Sequence, residues 1–519
     1  MTSVIPPRRG GDRNRRHTVS AQSSSRRSCM PRAGAGSEAS SRPTRGPMCE
    51  AGSLNTPVHA VRSDYSVGRP GRSTMGKPLD PHRVLVLRTD TPEDQADAVA
   101  RFWADLEASG EQVLFKPNLI NHRHLTGGDY EAVVTQPEVL ELAWRTADTL
   151  ALDGNRVVAD APQGDADFAQ ILASTGLDRW QRGRGVQVVD LRTVRHEGTP
   201  EVVTGRVTLP GDPAGAVRVN LGSYSAFSGV EGRRYYGADY DIDYTNRHHT
   251  GDTQEYLFSG TALNSGIVVN LPKMKTHKKS GVTLSMKNLV GLNCDKNLLP
   301  HYSLGTPRDG GDAYMASTAQ QRFEAGLLAR LKPRMAQSRT ASRVAGFLKP
   351  AARSVLGDTL EVVRSGNWWG NDTIWRMILD LNRILLYARP DGTVASTPQR
   401  RTVSLIDGIV AGEGKGPEAP DRLDAGVIIA GTDFVAVDIA AATFMGLDYR
   451  RIPHLAHALD DHLLPLTSID VEKITIESNV PEWQSNLWEI DSESMFSFTP
   501  HFGWLGQIER EPAPTIGPR

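Results

Sequence analysis

The first sustained apolar pattern along the chain is Arg83-Val-Leu-Val-Leu-Arg88, an aliphatic run between two arginines that predicts a buried strand. Residues 1–78, before it, are rich in Arg, Ser, Gly and Pro and show no apolar periodicity. Such a segment cannot bury enough surface to offset its ordering entropy, so a disordered tail is expected there. Beyond Arg88, strand and helix patterns alternate. Thr91–Ser109 predicts a helix closed by Gly110, Gln112–Pro117 a strand, and Gln136-Pro137 the start of a helix to about Leu150. Strands are expected at Asn155–Asp160 and Val186–Leu191, around a helix ending at Gly176. Ile267–Leu271 predicts a buried strand, and 375–386 a core helix with Ile374, Ile378, Leu381 and Leu385 on one face. Strands at Arg401–Val410, Gly426–Ala430 and Lys473–Glu477, with a helix at Val435–Met445, complete the pattern. This alternation predicts an α/β fold, a mainly parallel sheet flanked by helices.

Two polar insertions interrupt the pattern, at about 224–258 and 305–360. The first is rich in Tyr, Asp, Arg and His and predicts a loop or small β excursion; His248-His249 within it is a weak metal candidate, because adjacent histidines do not readily share one ion. The second carries a basic stretch, 320–355, in which eight arginines and lysines face a single acid, Glu324. It reads as a solvated helical lid or insertion, with contact to an acidic partner, a nucleic acid or a membrane surface as alternatives. The α/β core is expected over 79–470, and a C-terminal strand and tail over 471–519. The chain has no internal repeat. Met1, Met48 and Met75 are all candidate starts, since nothing before Arg83 looks folded.

Composition narrows the function classes. A net charge of −1 and a pI of about 6.9 give no general reason to expect nucleic acid as a partner. The three cysteines, Cys29, Cys49 and Cys294, lack CxxC spacing, so no cysteine-ligated iron–sulfur cluster or disulfide framework is expected, and a cytoplasmic location fits. No apolar run reaches the roughly 18 residues of a membrane span.

The clearest chemistry follows the Ile267 strand. Lys273, Lys275, His277 and Lys287 crowd into a short segment with Thr283 and Ser285 between them and Asn288 just after. A strand end that delivers cations, an imidazole and hydroxyls suits an anionic ligand. Lys275 and Lys287 are placed to hold a phosphate or carboxylate, and His277 to move a proton. Lys278 and Lys279 read as plain surface. Lys116 and Asn118, at another strand end, are expected to join the same cleft. Opposite, Asp407 and the glycine-rich Gly412-Glu-Gly-Lys-Gly-Pro417 follow the strongest strand; Gly414 and Gly416 would let backbone approach a ligand. Asp407 and Glu413 are candidates for a base. A divalent ion is a further candidate cofactor, with Asp407 and Asp438 as ligands. Asp433 fits a helix N-cap. Asp372 or Thr373 is expected to cap the core helix, leaving Arg376 for an anion.

Several of these segments together resemble the domain-of-unknown-function 362 family. They are Phe115-Lys-Pro-Asn-Leu119, Leu271-Pro-Lys-Met-Lys-Thr-His277, Gly281-Val-Thr-Leu-Ser-Met-Lys-Asn-Leu289, Val290-Gly291, Gly370–Arg376, Asp380-Leu-Asn382, Ile406-Asp-Gly408, Gly412–Pro417 and Ala430–Asp438. The ordered set, spanning roughly 83–450, carries the resemblance more than any single motif. Some members of that family carry a ferredoxin-like iron–sulfur module, whose cysteines this chain lacks. The expectation is an enzyme that binds a small anionic metabolite between a Lys/His cluster and an acidic, glycine-rich segment. The alternative is a non-catalytic accessory protein that binds a redox partner.

Overall fold

The computed structural model describes residues 79–106, 110–199, 202–238, 241–319, 321–322, 326 and 363–511. The expected tail over 1–78 and nearly all of the basic 320–355 stretch lie outside the described residues. An eleven-stranded sheet organises the rest. Its main path runs, in space, Thr475–Ser478, Arg83–Arg88, Val427–Gly431, Arg401–Lys415, Ile267–Leu271, Val113–Pro117, Arg156–Asp160 and Val188–Asp190. Neighbours on this path are parallel except on the two sides of Val427–Gly431, which is antiparallel to both. The mainly parallel α/β fold read from the sequence is therefore the fold observed.

The strands are apolar runs because both faces of the sheet are covered. Successive residues point to opposite faces, so Val84, Val86 and Val268 enter one core while Leu85, Leu87 and Val269 enter the other. Helices Ile374–Tyr387 and Phe434–Phe444 fill the first core. Helices Ala96–Phe102 and Pro137–Thr149 fill the second.

Two local expectations need correction, and one open alternative is decided. The Thr91–Ser109 helix is shorter: a 3-10 turn at Pro92–Gln95 leads into Ala96–Phe102, and Trp103 turns into the core, 1% exposed, where the helix ends. Of the two alternatives for the first insertion, the small β excursion is the one observed: its strands Thr253–Ser259 and His249–Thr250 form a three-stranded antiparallel sheet with Ala216–Asn220 just before it, a helix runs over Ile242–His248, and its Tyr235–Gly237 strand pairs with Pro300–Ser303. The glycine-rich segment is not a loop after a strand, because Arg401–Lys415 is one continuous strand that turns back as Ala419–Leu423.

Candidate functional site

Pro272 separates two strands that would otherwise be one. Ile267–Leu271 pairs with Val113–Pro117 and with the start of Arg401–Lys415. After Pro272, Lys273–His277 pairs with the middle and later part of the long strand, Lys273 opposite Asp407 and, past a bulge between them, Lys275 opposite Gly412. All five residues of Lys273–His277 are buried, so the basic segment is an internal strand rather than a solvated strand end.

A tight turn then leads into the short helix Leu284–Asn288. Leu284 has φ +44°, a left-handed conformation that costs a branched residue on the order of 1–3 kcal/mol. Asp438, from the buried helix Phe434–Phe444, holds the helix start: its carboxylate accepts the N–H groups of Ser285 and Met286 at 2.7 and 2.8 Å. Burial raises the Asp438 carboxyl to about 7. Asp433 caps its own helix, accepting from the N–H of Val435 and Ala436 at 2.8 and 3.0 Å.

Most of the buried cations have partners. The Lys116 ammonium pairs with Asp160 at 2.7 Å and donates to the Pro117 carbonyl and to Asn288 Oδ1. Asn288 also accepts from Asn118 and donates to Asn270, so these amides form one lattice under the helix. Gly291 covers that pair, and a Cβ there would lie 1.8 Å from Asp160 Oδ1. Lys273 pairs with Asp407 at 2.8 Å, and Asp407 also accepts from the N–H of Gln136 and Ile409. Burial pushes the Lys116 and Lys273 ammonium groups down, and their aspartates oppose the shift. Lys275 has no carboxylate; it donates to the carbonyls of Val133 and Pro417. Burial, then the charges of Lys273 and Lys287, hold it well below the ordinary lysine range. Lys296 donates to the carbonyls of Val290 and Asn293 and is lowered to about 8, mainly by burial.

Lys287 differs from all of these. It is 7% exposed and makes no hydrogen bond or ion pair with the described residues. Burial, then Lys296 and Lys116, lower it to about 7. Two imidazoles feel its charge. His277 and His301 are both held well below their ordinary value, first by burial and next by Lys287, and His301 also acts on His277. Their backbone contacts set opposite tautomers. His277 Nδ1 accepts the N–H of Lys279 and Ser280 at 3.0 and 3.1 Å, which places its proton on Nε2. His301 Nδ1 lies 2.8 Å from the Leu299 carbonyl, which only accepts, so its proton is on Nδ1 and its Nε2 carries a lone pair. A third imidazole, His454, is enclosed with neither ring nitrogen bonded, and burial and Lys287 lower it to about 3. The elements join at helix Ile374–Tyr387, which packs against Leu284–Asn288, Pro300–Ser303 and Pro453–Ala456.

The remaining expected residues lie in other surroundings. The Thr283 hydroxyl is enclosed without a partner. Glu413 accepts the Thr499 N–H at 2.6 Å, tying down the C-terminal segment. The close approach that the glycines permit is to the protein's own backbone. A Cβ on Gly416 would lie 1.9 Å from the Thr276 carbonyl oxygen, and Gly414, at φ +67°, donates to the Thr499 carbonyl. Asn371, rather than Asp372 or Thr373, caps the core helix by accepting from the N–H of Thr373 and Ile374. Arg376 is engaged with Asp372 and the Ala226 carbonyl. Lys278 is not plain surface: it pairs with Glu418 at 2.9 Å. Lys279 lies over the Tyr302 ring and donates to the Ser365 carbonyl. His248 pairs with Glu255, while His249 bonds Gln254 and Leu298. Among the described residues, no group of three or more His, Cys, Asp or Glu is arranged to hold a metal ion.

His301, His454, Lys296 and Asp160 escape a reading of the sequence. His301 and Lys296 flank the apolar Leu298-Leu299-Pro300 run after the basic segment, a setting that offers a signal only once Leu298 and Leu299 are taken as core.

Residues 223–443 match the family model described as Domain of unknown function (DUF362). The resemblance seen in the ordered motifs is thus borne out over those residues, which hold His277, Lys287, His301 and Asp438. His454 and the Val113–Pro117 strand lie outside the match. A solved structure of a Thermotoga maritima protein, determined as a structural genomics target, aligns over 69% of this chain at 10% identity with a TM-score of 0.30. The chain covers 60% of that protein's length. No curated protein matches the chain. No helix among the described residues is long and apolar enough to cross a membrane.

Proposed function

We propose that this protein is an enzyme acting on a small carboxylate or phosphate compound, held by Lys287, with His277 and His301 handling a proton. The observation that supports this reading is the buried Lys287 ammonium, unpaired among the described residues, whose charge lowers both His277 and His301. A buried cation with no counter-charge is unfavourable by several kcal/mol, and an anionic ligand supplies that charge. Lys116, Lys273 and Lys275 already spend their charge on Asp160, Asp407 and backbone carbonyls. They build the frame in which Lys287 is left over.

The imidazoles suit proton transfer because their tautomers are complementary. His277 offers an Nε2–H donor and His301 an Nε2 acceptor, so one can hold a developing charge while the other takes a proton. Both are neutral near pH 7, so neither competes with Lys287 for the anion. In this reading Asp407 and Glu413 are supports rather than bases, since their oxygens already accept backbone or lysine donors.

Calorimetric titration with inorganic phosphate and with malonate at pH 6.5 tests the site. Binding by the wild type, weakened about tenfold or more in Lys287→Met at unchanged fold, is expected for one lost charge-assisted contact. Equal affinity in both proteins would remove Lys287 from the site.

A further inference from the structure

A lysine that is free of partners is a potential nucleophile as well as an anchor. Carboxylates beside Lys116 and Lys273 hold those amines as ammonium ions. Around Lys287 the charged groups that act on it are the cations Lys296 and Lys116, its own charge lowers His277, His301 and His454, and helix Ile374–Tyr387 packs against the three elements that carry Lys287, His301 and His454. No carboxylate among the described residues is bonded to it to retain its proton. Burial among cations is a setting in which a lysine amine keeps its lone pair near neutral pH.

Resting on the site reading above, we propose that Lys287 forms an imine with the carbonyl carbon of a 2-oxo acid or an anionic aldehyde, with His301 carrying the protons and His277 holding the carbonyl oxygen. The Nζ lone pair forms the C–N bond, and the C=O π pair moves to oxygen. His277 Nε2–H donates a hydrogen bond to that oxygen as its charge grows. His301 Nε2 takes one Nζ proton and passes it to the oxygen, giving a carbinolamine. It then carries the second Nζ proton the same way as the C=N bond forms and the C–O bond breaks. The oxygen leaves as water, His301 returns to its starting tautomer, and no outside proton, oxidant or reductant is consumed.

The two roles of Lys287 respond oppositely to pH. Anion holding needs the ammonium and strengthens below about 7, while attack needs the free amine and strengthens above it.

Glyoxylate with cyanoborohydride, applied to the full chain at pH 7 and followed by peptide mapping, reads out the imine as a carboxymethyl group on the lysine. Lys473, whose side chain is 71% exposed, is the internal reference. Lys287 is expected to label at least about tenfold faster than Lys473, and His301→Gln to slow Lys287 about a hundredfold while leaving Lys473 unchanged. Lys287 unlabelled, or labelled no faster than Lys473, overturns the proposal. If phosphate binding still depends on Lys287 in that case, the anion site stands and only the imine fails. If labelling is fast but phosphate does not bind, the anion reading fails instead.

Discussion

Lys273 and Asp407 form an ion pair, Nζ to Oδ2 at 2.8 Å, in which neither side chain touches solvent. The pair joins two strands just before the bulge between Lys273 and Lys275, and the aspartate also holds the Gln136 N–H at the start of helix Pro137–Thr149. Asp407→Asn leaves the lysine charge buried without a partner. Equilibrium denaturation is expected to show a loss of about 3–5 kcal/mol, and the double variant Lys273→Met, Asp407→Leu to recover much of it. A single variant as stable as the wild type would show that the pair does not hold the bulge.

Gly291 offers a steric test of the second pair. A Cβ at this position would meet Asp160 Oδ1 at 1.8 Å and Lys116 Nζ at 2.5 Å. Gly291→Ala is therefore expected to destabilise the protein by at least about 1–3 kcal/mol through overpacking, read as a lower thermal midpoint.

Asp438 and Lys287 give the stability curve two limbs of opposite sign. The folded Asp438 carboxyl sits at about 7, above its unfolded value, so between the ordinary carboxylate range and 7 the folded chain keeps a proton that the unfolded chain has lost. Its contribution is full at low pH and fades as pH rises to 7. Lys287, lowered to about 7, lacks a proton there that the unfolded chain still binds, so its contribution grows as pH rises above 7. Lys296, at about 8, adds to the same alkaline limb. The stability difference between wild type and Asp438→Asn should change with pH only below about 7, and that for Lys287→Met only above it. Denaturation at several pH values measures both.

Anion affinity should follow the Lys287 ammonium. Phosphate binding measured from pH 6 to 9 is expected to fall about tenfold for each unit above about 7, after correction for the ligand's own ionisation. The histidines around the site are neutral throughout this range, so they contribute no slope of their own. A flat profile would place the anion elsewhere.

Much of the fold could be read directly from the sequence, because strands buried on both faces are written as apolar runs. Arg83–Arg88, Ile267–Leu271 and Val427–Gly431 lie within a residue of where the pattern puts them. The site was half legible. Lys287 and His277 stand in a visible basic cluster, yet composition alone made Lys273, Lys275 and Lys116 their equals. What separates them is burial against partners far along the chain, Asp407 for Lys273 and Asp160 for Lys116, which no local pattern reports. His301 arrives through the pairing of Pro300–Ser303 with Tyr235–Gly237, and that pairing grows from an insertion with no periodicity of its own. Asp438 looked like a candidate ligand because it lies inside a helix. Its actual role, holding the start of a different helix, requires the two helices to be seen together.

The most direct measurement is the ionisation of Lys287 itself, followed by NMR of the labelled lysine side chains and assigned with Lys287→Met. An unpaired, buried ammonium predicts a midpoint near 7 in the free protein, moving upward when phosphate is added. A midpoint in the ordinary lysine range, unmoved by phosphate, would contradict both the isolation of Lys287 and its role as the anion's counter-charge.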